Sequence, residues 1–373
     1  MINYTSGTTS NSKGVMIPYR ALWSNFMFAE EVLGSKLNRG DNVISMLPLA
    51  HMYGMAFEFI FEFLHGCHVY YLTRIPSPKI VLQAFADVKP SIIISVPLII
   101  EKIIKKNVLP RLQTPSMKVL LKLPLISTRI FEKIKEHLVE AFGGNFYEII
   151  VGGAAFNSEV EDLLKRIGFP YTVGYGATEC APIITYEDWQ NFKQGSCGKA
   201  TPRMEVKINS SDPQNEVGEI YARGANVMLG YYKNPEMTEE KLLGKFYNTD
   251  DMASCDEDGY YCFIGRDDDV IKCSGYRIGP FEVESALLEH PSVVECAITG
   301  VPDPIRGQVV KATVVLAAGY TPSEELKKEI QNHVKRVTAP YKYPRVIEFV
   351  DELPKTLGGK IKRGQIRKSD EDA

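Results

Sequence analysis

The sequence has no Cys-x-x-Cys pair, no apolar run of membrane length, no excess of basic residues and no internal repeat. Its seven cysteines (Cys67, Cys180, Cys197, Cys255, Cys262, Cys273 and Cys296) are odd in number and scattered, which argues against a disulfide framework and for a reducing compartment. The longest apolar stretch, Ile92 to Ile100, is interrupted by Ser95 and Pro97 and falls far short of the roughly 20 residues that span a bilayer. No transmembrane helix is expected, and the partner surfaces left open are peripheral membrane contact or self-association. A net charge of −3 and a pI near 6.1 argue against a nucleic-acid partner, since such proteins are usually basic. No basic segment followed by an apolar stretch opens the chain, so the expected location is cytoplasmic. What is present is a globular composition, 45% apolar and 24% charged over 373 residues. That length suits roughly two to three domains.

Residues 4 to 14 read Tyr-Thr-Ser-Gly-Thr-Thr-Ser-Asn-Ser-Lys-Gly, with six serine or threonine hydroxyls, two glycines and one lysine. Hydroxyls and bare backbone N–H groups donate to phosphate oxygens, glycine lets the backbone approach, and Lys13 supplies countercharge. The order is not that of a Walker A loop, because Ser12 precedes Lys13 and Gly14 follows it. A polar turn of this composition has an ordinary structural explanation as well.

Pro18 is placed to open a helix in which Leu22, Phe26, Ala29 and Leu33 share a face before Gly34. Val43 to Leu47, Cys67 to Leu72, Ser91 to Val96 and Phe146 to Val151 read as short buried strands, with helices such as Ile80 to Val88 and Arg129 to Phe142 between them. This alternation predicts α/β layering with largely parallel strands. From Gly218 the pattern changes to a more antiparallel sheet, including Gly218-Glu-Ile-Tyr-Ala-Arg and Tyr260-Tyr-Cys-Phe-Ile. The polar turn Gly265-Arg-Asp-Asp-Asp269 marks a boundary, giving a large α/β domain over 1–265 and a small α+β domain over 266–373. Within the latter we expect helices at Pro280 to Leu288 and Ser323 to Val337, strands at Val293 to Thr299, Val309 to Leu316 and Arg345 to Phe349, and a solvated basic tail.

Several segments carry side chains unusual for their positions. His51, in Leu47-Pro-Leu-Ala-His-Met-Tyr-Gly54, falls between a strand and an apolar helix beginning near Met55, either at a pocket mouth or satisfied in the core. Gly152-Gly-Ala-Ala155 ends a strand with small residues, which suits either a flat ligand against backbone or close helix packing. Tyr175-Gly-Ala-Thr-Glu179 follows Val173 at an apparent strand end, where open α/β sheets bind ligands. Glu179 there is a candidate Mg2+ ligand shared with phosphate oxygens, or a solvated loop acid. Asp251 and Arg266 could grip a ribose diol or form a structural ion pair. His65-Gly-Cys-His68 is one short metal-type cluster without a second, a weak zinc signal.

Taken in order, Tyr4-Thr-Ser-Gly-Thr-Thr, Leu47-Pro-Leu-Ala-His, Tyr175-Gly-Ala-Thr-Glu, Gly218-Glu-Ile, Gly265-Arg-Asp-Asp-Asp with Gly275-Tyr-Arg-Ile, and Pro354-Lys-Thr-Leu-Gly-Gly-Lys resemble the adenylate-forming superfamily of acyl-CoA synthetases. The resemblance implies an AMP-forming acid-thiol ligase using ATP, Mg2+ and coenzyme A. A fatty acid of medium or long chain would become an acyl-adenylate and then a thioester. A carrier-protein thiol as acceptor, or a non-catalytic or split-enzyme remnant that binds nucleotide, are the alternatives. By resemblance, Thr5, Ser6, Gly7, Thr8, Thr9 and Lys13 would cradle the β- and γ-phosphates. Gly153, Ala154 and Tyr175 would border adenine, Thr178 would touch the α-phosphate, and Glu179 would hold the metal. Asp251 and Arg266 would bind ribose, and His51 would lie at the substrate pocket. Lys360 would serve adenylation, Asp268 would be the hinge of a mobile small domain, and Gly275 would flank the pantetheine path.

The sequence departs from that pattern in places. Ser10 and Ser12 stand where glycine and proline are usual. Asp250 replaces the glycine of a Thr-Gly-Asp segment, where special backbone angles would favour glycine. Relatives carry a substantial region before the first motif, so the large domain is expected to be short at its N-terminus, with an exposed strand edge.

Overall fold

The protein is described from a computed structural model over residues 1–5, 12–74, 76–213, 216–355 and 361–371. Its centre is a parallel sheet of Ile93–Ser95, Ile149–Val151 and Tyr171–Val173, in that spatial order and buried at every residue. Strands buried on both faces need apolar residues throughout, which explains their unbroken Ile and Val runs. The first is shorter than the expected Ser91 to Val96 because Pro97 instead opens the helix Pro97–Asn107. The helices Pro78–Val88 and Ser158–Arg166 are each capped by a side chain, Ser77 accepting from the Ile80 N–H and Asn157 from that of Val160. A second parallel pair, Asn42–Ser45 with His68–Tyr71, lies alongside. Its outer strand is paired on one side only among the described residues and exposes Tyr70 and Tyr71.

The helix behind Pro18 runs Tyr19–Leu33, but its buried face is Ala21, Ser24, Asn25, Phe28, Ala29 and Leu33, with Leu22 and Phe26 at its margin. The polar Asn25 shifts that face: its amide donates to the Ala21 and Cys180 carbonyls and accepts from the Ile183 N–H, so it belongs inside. The helix expected near Met55 begins as an eight-residue π-helix, Gly54–Phe61, before continuing as Glu62–His65. Buried Glu58 on this wide turn accepts from the Met46 and Leu47 N–H groups, closing the end of the neighbouring strand.

The second regime is a five-stranded antiparallel sheet of Met204–Asn209, Gly218–Gly224, Leu242–Leu243, Phe246–Cys255 and Tyr261–Arg266. After the turn at 267–270 comes a mixed sheet with its own core of buried residues from Ile271 to Ile347. Its main hairpin, Val293–Asp303 with Gly307–Leu316, is longer than expected, and Val346–Phe349 joins Gly307–Leu316 in parallel. The helices Pro280–Leu288 and Glu324–Val337 cover it. The basic tail expected to be solvated is instead the helix Arg363–Glu371, which buries Arg363 and Ile366. Charge density alone pointed to solvent, but Arg363 has a buried carboxylate partner in Glu284.

Candidate active site

The hydroxyl-rich loop is bracketed by an antiparallel hairpin in which Thr5 pairs with Lys13 and Tyr4 with Gly14. Ser6, Gly7, Thr8 and Thr9 lie outside the described residues, as does Lys360. Gly230–Tyr231 adds a third strand to the hairpin and places Tyr231 under the loop's base, with the Lys13 ammonium 5.7 Å from its ring centroid. The Tyr231 hydroxyl donates to Glu179 Oε1 at 2.9 Å, and both side chains are buried. Burial, then the Glu179 charge, raises the Tyr231 pKa, so the phenol stays a donor. Lysine, phenol and carboxylate therefore form one line from the loop to the strand ends. Glu179 is not a solvated loop acid: its one-turn helix Thr178–Cys180 is tied down by the Met228 N–H donating to the Glu179 carbonyl. Thr178 opens that turn, half-buried. No cluster of three or more metal-ligating side chains occurs among the described residues, so a cation here would complete its shell with substrate oxygens.

At the carboxyl ends of the parallel strands, Gly152 and Gly174 stand side by side through backbone bonds to Ser95 and Val151. The small-residue run divides its work. Gly152 packs against a ring, since a Cβ there would lie 3.1 Å from the Tyr53 side chain, while Gly153, at φ +86°, and Ala154 face solvent beside the site. Tyr175 continues from the third strand, and its hydroxyl donates to Asp251 Oδ2 at 2.6 Å. Burial pushes the Asp251 carboxyl up to about 6, against the opposing pull of Arg266 and the Tyr175 hydrogen bond. Arg266 approaches Asp251 at 3.8 Å across the register pair that joins their strands.

Asp250 adopts φ +59°, the left-handed geometry that glycine would take without strain and that aspartate tolerates better than most residues. Its carboxylate is 2.7 Å from the Lys241 ammonium and 3.4 Å from Arg266. The added charge is therefore neutralised within the site.

An apolar cavity of about 60 Å3 opens against these strand ends, walled by Phe28, Tyr53, Phe57, Ile150, Gly176 and Tyr186 among others. Tyr53 is fixed by donating to the Ile150 carbonyl. His51 is neither core-satisfied nor part of this wall: it is exposed on the preceding turn, whose short bonds from the His51 N–H to Pro48 and from the Met55 N–H to His51 hold its backbone at the surface. His65 is bonded to the Glu30 carboxylate, not gathered with Cys67 and His68.

Arg266, Asp268 and Asp269 form the junction between the two sheets. Arg266 lies 3.5 Å from Asp268, whose carbonyl accepts from Arg367. Arg367 also donates to Asp269 at 2.5 Å, and Arg363 grips both oxygens of buried Glu284 at 2.7 Å. The segment 356–360 is bracketed by the bridge between Lys355 and Ile361, with Lys355 held by Glu295. The helix Arg363–Glu371 is thus clipped to the turn at 267–270 and to the helix Pro280–Leu288. Gly275, at φ +83°, and Ser274, at φ +51°, make the tight turn between Ile271–Cys273 and Tyr276–Ile278 and are exposed. Of the residues shaping the site, Tyr231 and Lys241 carried no sequence expectation, Tyr53 shared the pocket-mouth reading of its segment, and Arg363 was expected in a solvated tail.

The chain matches the model of the AMP-binding enzyme over residues 1–232 and that of the AMP-binding enzyme C-terminal domain over residues 282–360. It is 47% identical over 233 residues to the mouse mitochondrial acyl-coenzyme A synthetase ACSM3, covering 59% of this chain and 40% of that protein. Against human mitochondrial ACSM1 it is 46% identical over 230 residues, covering 59% and 40%. The chain thus spans about 40% of the length of these curated relatives. Its fold is similar to ATP-bound MatB from Rhodopseudomonas palustris, with a TM-score of 0.80, 25% identity, and coverage of 100% of this chain and 68% of that one. It is also similar to the o-succinylbenzoate CoA synthetase of Bacillus subtilis in complex with its acyl-adenylate, at 0.80, 26%, 98% and 68%. These relatives correct the cytoplasmic expectation, since ACSM3 and ACSM1 are mitochondrial by name. Scattered cysteines fit any reducing compartment and do not separate the two.

Proposed function

The chain belongs to the AMP-binding enzyme family, and we propose that it activates a fatty acid of medium or long chain with ATP and passes the acyl group to coenzyme A, in the mitochondrion. The observation that carries this reading is the line Lys13–Tyr231–Glu179 running to the strand ends, where an apolar cavity begins. A ligand with a polyphosphate at one end and an alkyl chain at the other suits that polarity.

In the adenylation step a carboxylate oxygen attacks the α-phosphorus and the bond to pyrophosphate breaks. Positioning and charge neutralisation dominate such a transfer. Thr5, Lys13 and the intervening Ser6, Gly7, Thr8 and Thr9 would hold the β- and γ-phosphates. Gly153, Ala154 and Tyr175 would border the adenine, and Thr178 would donate to the α-phosphate. Glu179 would hold Mg2+, which neutralises phosphate charge when bound; its fixed, buried carboxylate with one oxygen given to Tyr231 fits a cation shared with substrate. Asp251, oriented by Tyr175 and faced by Arg266, would accept from the ribose hydroxyls. In the second step a thiol attacks the acyl carbon and AMP leaves. We assign the large domain to 1–265 and the mobile one to 266–373, with Asp268 as hinge. Rotation there would exchange Lys360 for the Gly275 turn, so one small domain serves two transition states.

Fatty-acid-dependent exchange of labelled pyrophosphate into ATP tests the reading. Exchange should appear with the purified protein and vary with acid length as the cavity fills. A folded protein that gives no exchange with any acid from medium to long chain would overturn it.

A further inference from the structure

Between Leu98 and Phe131 the chain carries seven basic residues and one acid, Glu101, a local charge of +6 in a protein whose net charge is −3. This segment also holds a dense group of exposed apolar side chains. The helix Pro115–Leu120 has no buried residue, and the helix Pro124–Ala141 buries only Leu138. At the turn between them Val119, Leu120, Leu123, Leu125 and Ile126 are exposed, Leu125 to 85% and Val119 to 62%. A helix as short as Pro115–Leu120 gains little from intrinsic propensity and usually forms by burying an apolar stripe. The second helix packs inward farther along, through Phe131, Ile134 and Leu138, whereas the apolar side chains around 119–126 face outward, and exposed apolar surface of this kind marks an interaction site.

Charge decides among the occupants. Lys118, Lys122 and Arg129 are exposed within and beside the patch and make no ion pair with a described residue. Protein interfaces are depleted in lysine, and a second copy would bring the same positive charge against this one. An apolar face rimmed by unpaired lysines is instead the pattern of segments that lie in the interface of an anionic bilayer. No helix among the described residues is long and apolar enough to cross a membrane. We propose that the 115–129 segment docks on an anionic lipid surface, with Leu123, Leu125 and Ile126 entering the acyl boundary and Lys118, Lys122 and Arg129 at the headgroups. This is independent of the reaction assigned above.

The test is vesicle co-sedimentation, with phosphatidylcholine alone and with phosphatidylserine mixed in. The protein should bind the mixed vesicles more tightly, and salt should weaken that binding. Lys118→Glu with Lys122→Glu should lower affinity by at least about thirtyfold, the loss of the roughly 1 kcal/mol that each basic residue contributes at such a surface, with repulsion of the two added carboxylates lowering it further. Leu125→Ser with Ile126→Ser should lower it at both low and high salt. The same charge change on another face, Lys328→Glu with Lys335→Glu, should leave binding as it was. Equal binding to both vesicles, or no loss in the two patch variants while their melting temperatures are unchanged, overturns the proposal. So does a concentration-dependent dimer that the patch variants dissociate, because the occupant would then be a second copy.

Discussion

The two polar clusters of this protein are built differently. Around Tyr175, Glu179, Tyr231 and Asp251, each carboxylate is met by a tyrosine hydroxyl, deep beside the strand ends. At the junction, carboxylates are met by arginines, which tie the last helix to Glu284 and Asp269 across long stretches of sequence. Phenols orient an acid without neutralising it, which leaves charge available for a ligand, while burial holds the Asp251 carboxyl up at about 6. Arginine pairs neutralise and fasten. The first arrangement suits a wall that must receive a substrate, and the second suits a part that must move as one piece.

The largest test of this contrast is Arg363→Ala. Removing one member of a buried ion pair leaves Glu284 uncompensated and should cost about 3–5 kcal/mol in denaturant unfolding. Adding Glu284→Gln should recover part of that loss, because the orphaned charge is gone. A loss below about 1 kcal/mol, the range of exposed pairs, would mean that the fastening is unimportant. Next comes Lys360→Ala, which by the assigned role should cost on the order of 3 kcal/mol in adenylation. Thioester formation from supplied acyl-adenylate should be spared, and equal loss in both half-reactions would refute the two-position role of the small domain.

A smaller effect is expected at the wall. Asp251→Asn should weaken nucleotide binding by about 2 kcal/mol, the scale of a hydrogen bond to a charged group. Since the folded carboxyl titrates at about 6, above its ordinary 3.8, wild-type nucleotide affinity should rise as pH increases through about 6. Between about 3.8 and about 6 the Asp251 contribution to stability should fall, because the folded state holds the proton that the unfolded state has already released, and above about 6 it should level off. Calorimetric titration of the nucleotide against pH checks the affinity, with the variant expected to be flat, and denaturant unfolding against pH checks the stability. The smallest effect is Asp250→Gly, where relief of the left-handed backbone opposes loss of the Lys241 and Arg266 pairs. Stability should change by less than about 1 kcal/mol.

Much of the architecture was legible because its signals are local. Proline openings, apolar runs of strand length and the polar turn at 265–269 located the elements to within a few residues. Asp250 was legible in a finer way: the glycine expected there implied a left-handed backbone, and the structure has it. Asn25, Glu58 and Arg363 were not legible, because a polar residue is read as exposed unless its partner is known. Each of those partners lies far along the chain or on another element. His51 illustrates the converse, an eye-catching residue on a turn whose neighbour Tyr53 forms the cavity wall.

By itself the sequence determined the order of the motifs, the two folding regimes and the side chains available for chemistry, since these follow from residue identity and short-range spacing. Only the tertiary structure decided which carboxylate meets a phenol and which meets an arginine, and which apolar side chains stay outside. Those outcomes depend on contacts between residues such as Tyr175 and Asp251, or Glu284 and Arg363, that the fold alone brings within bonding distance.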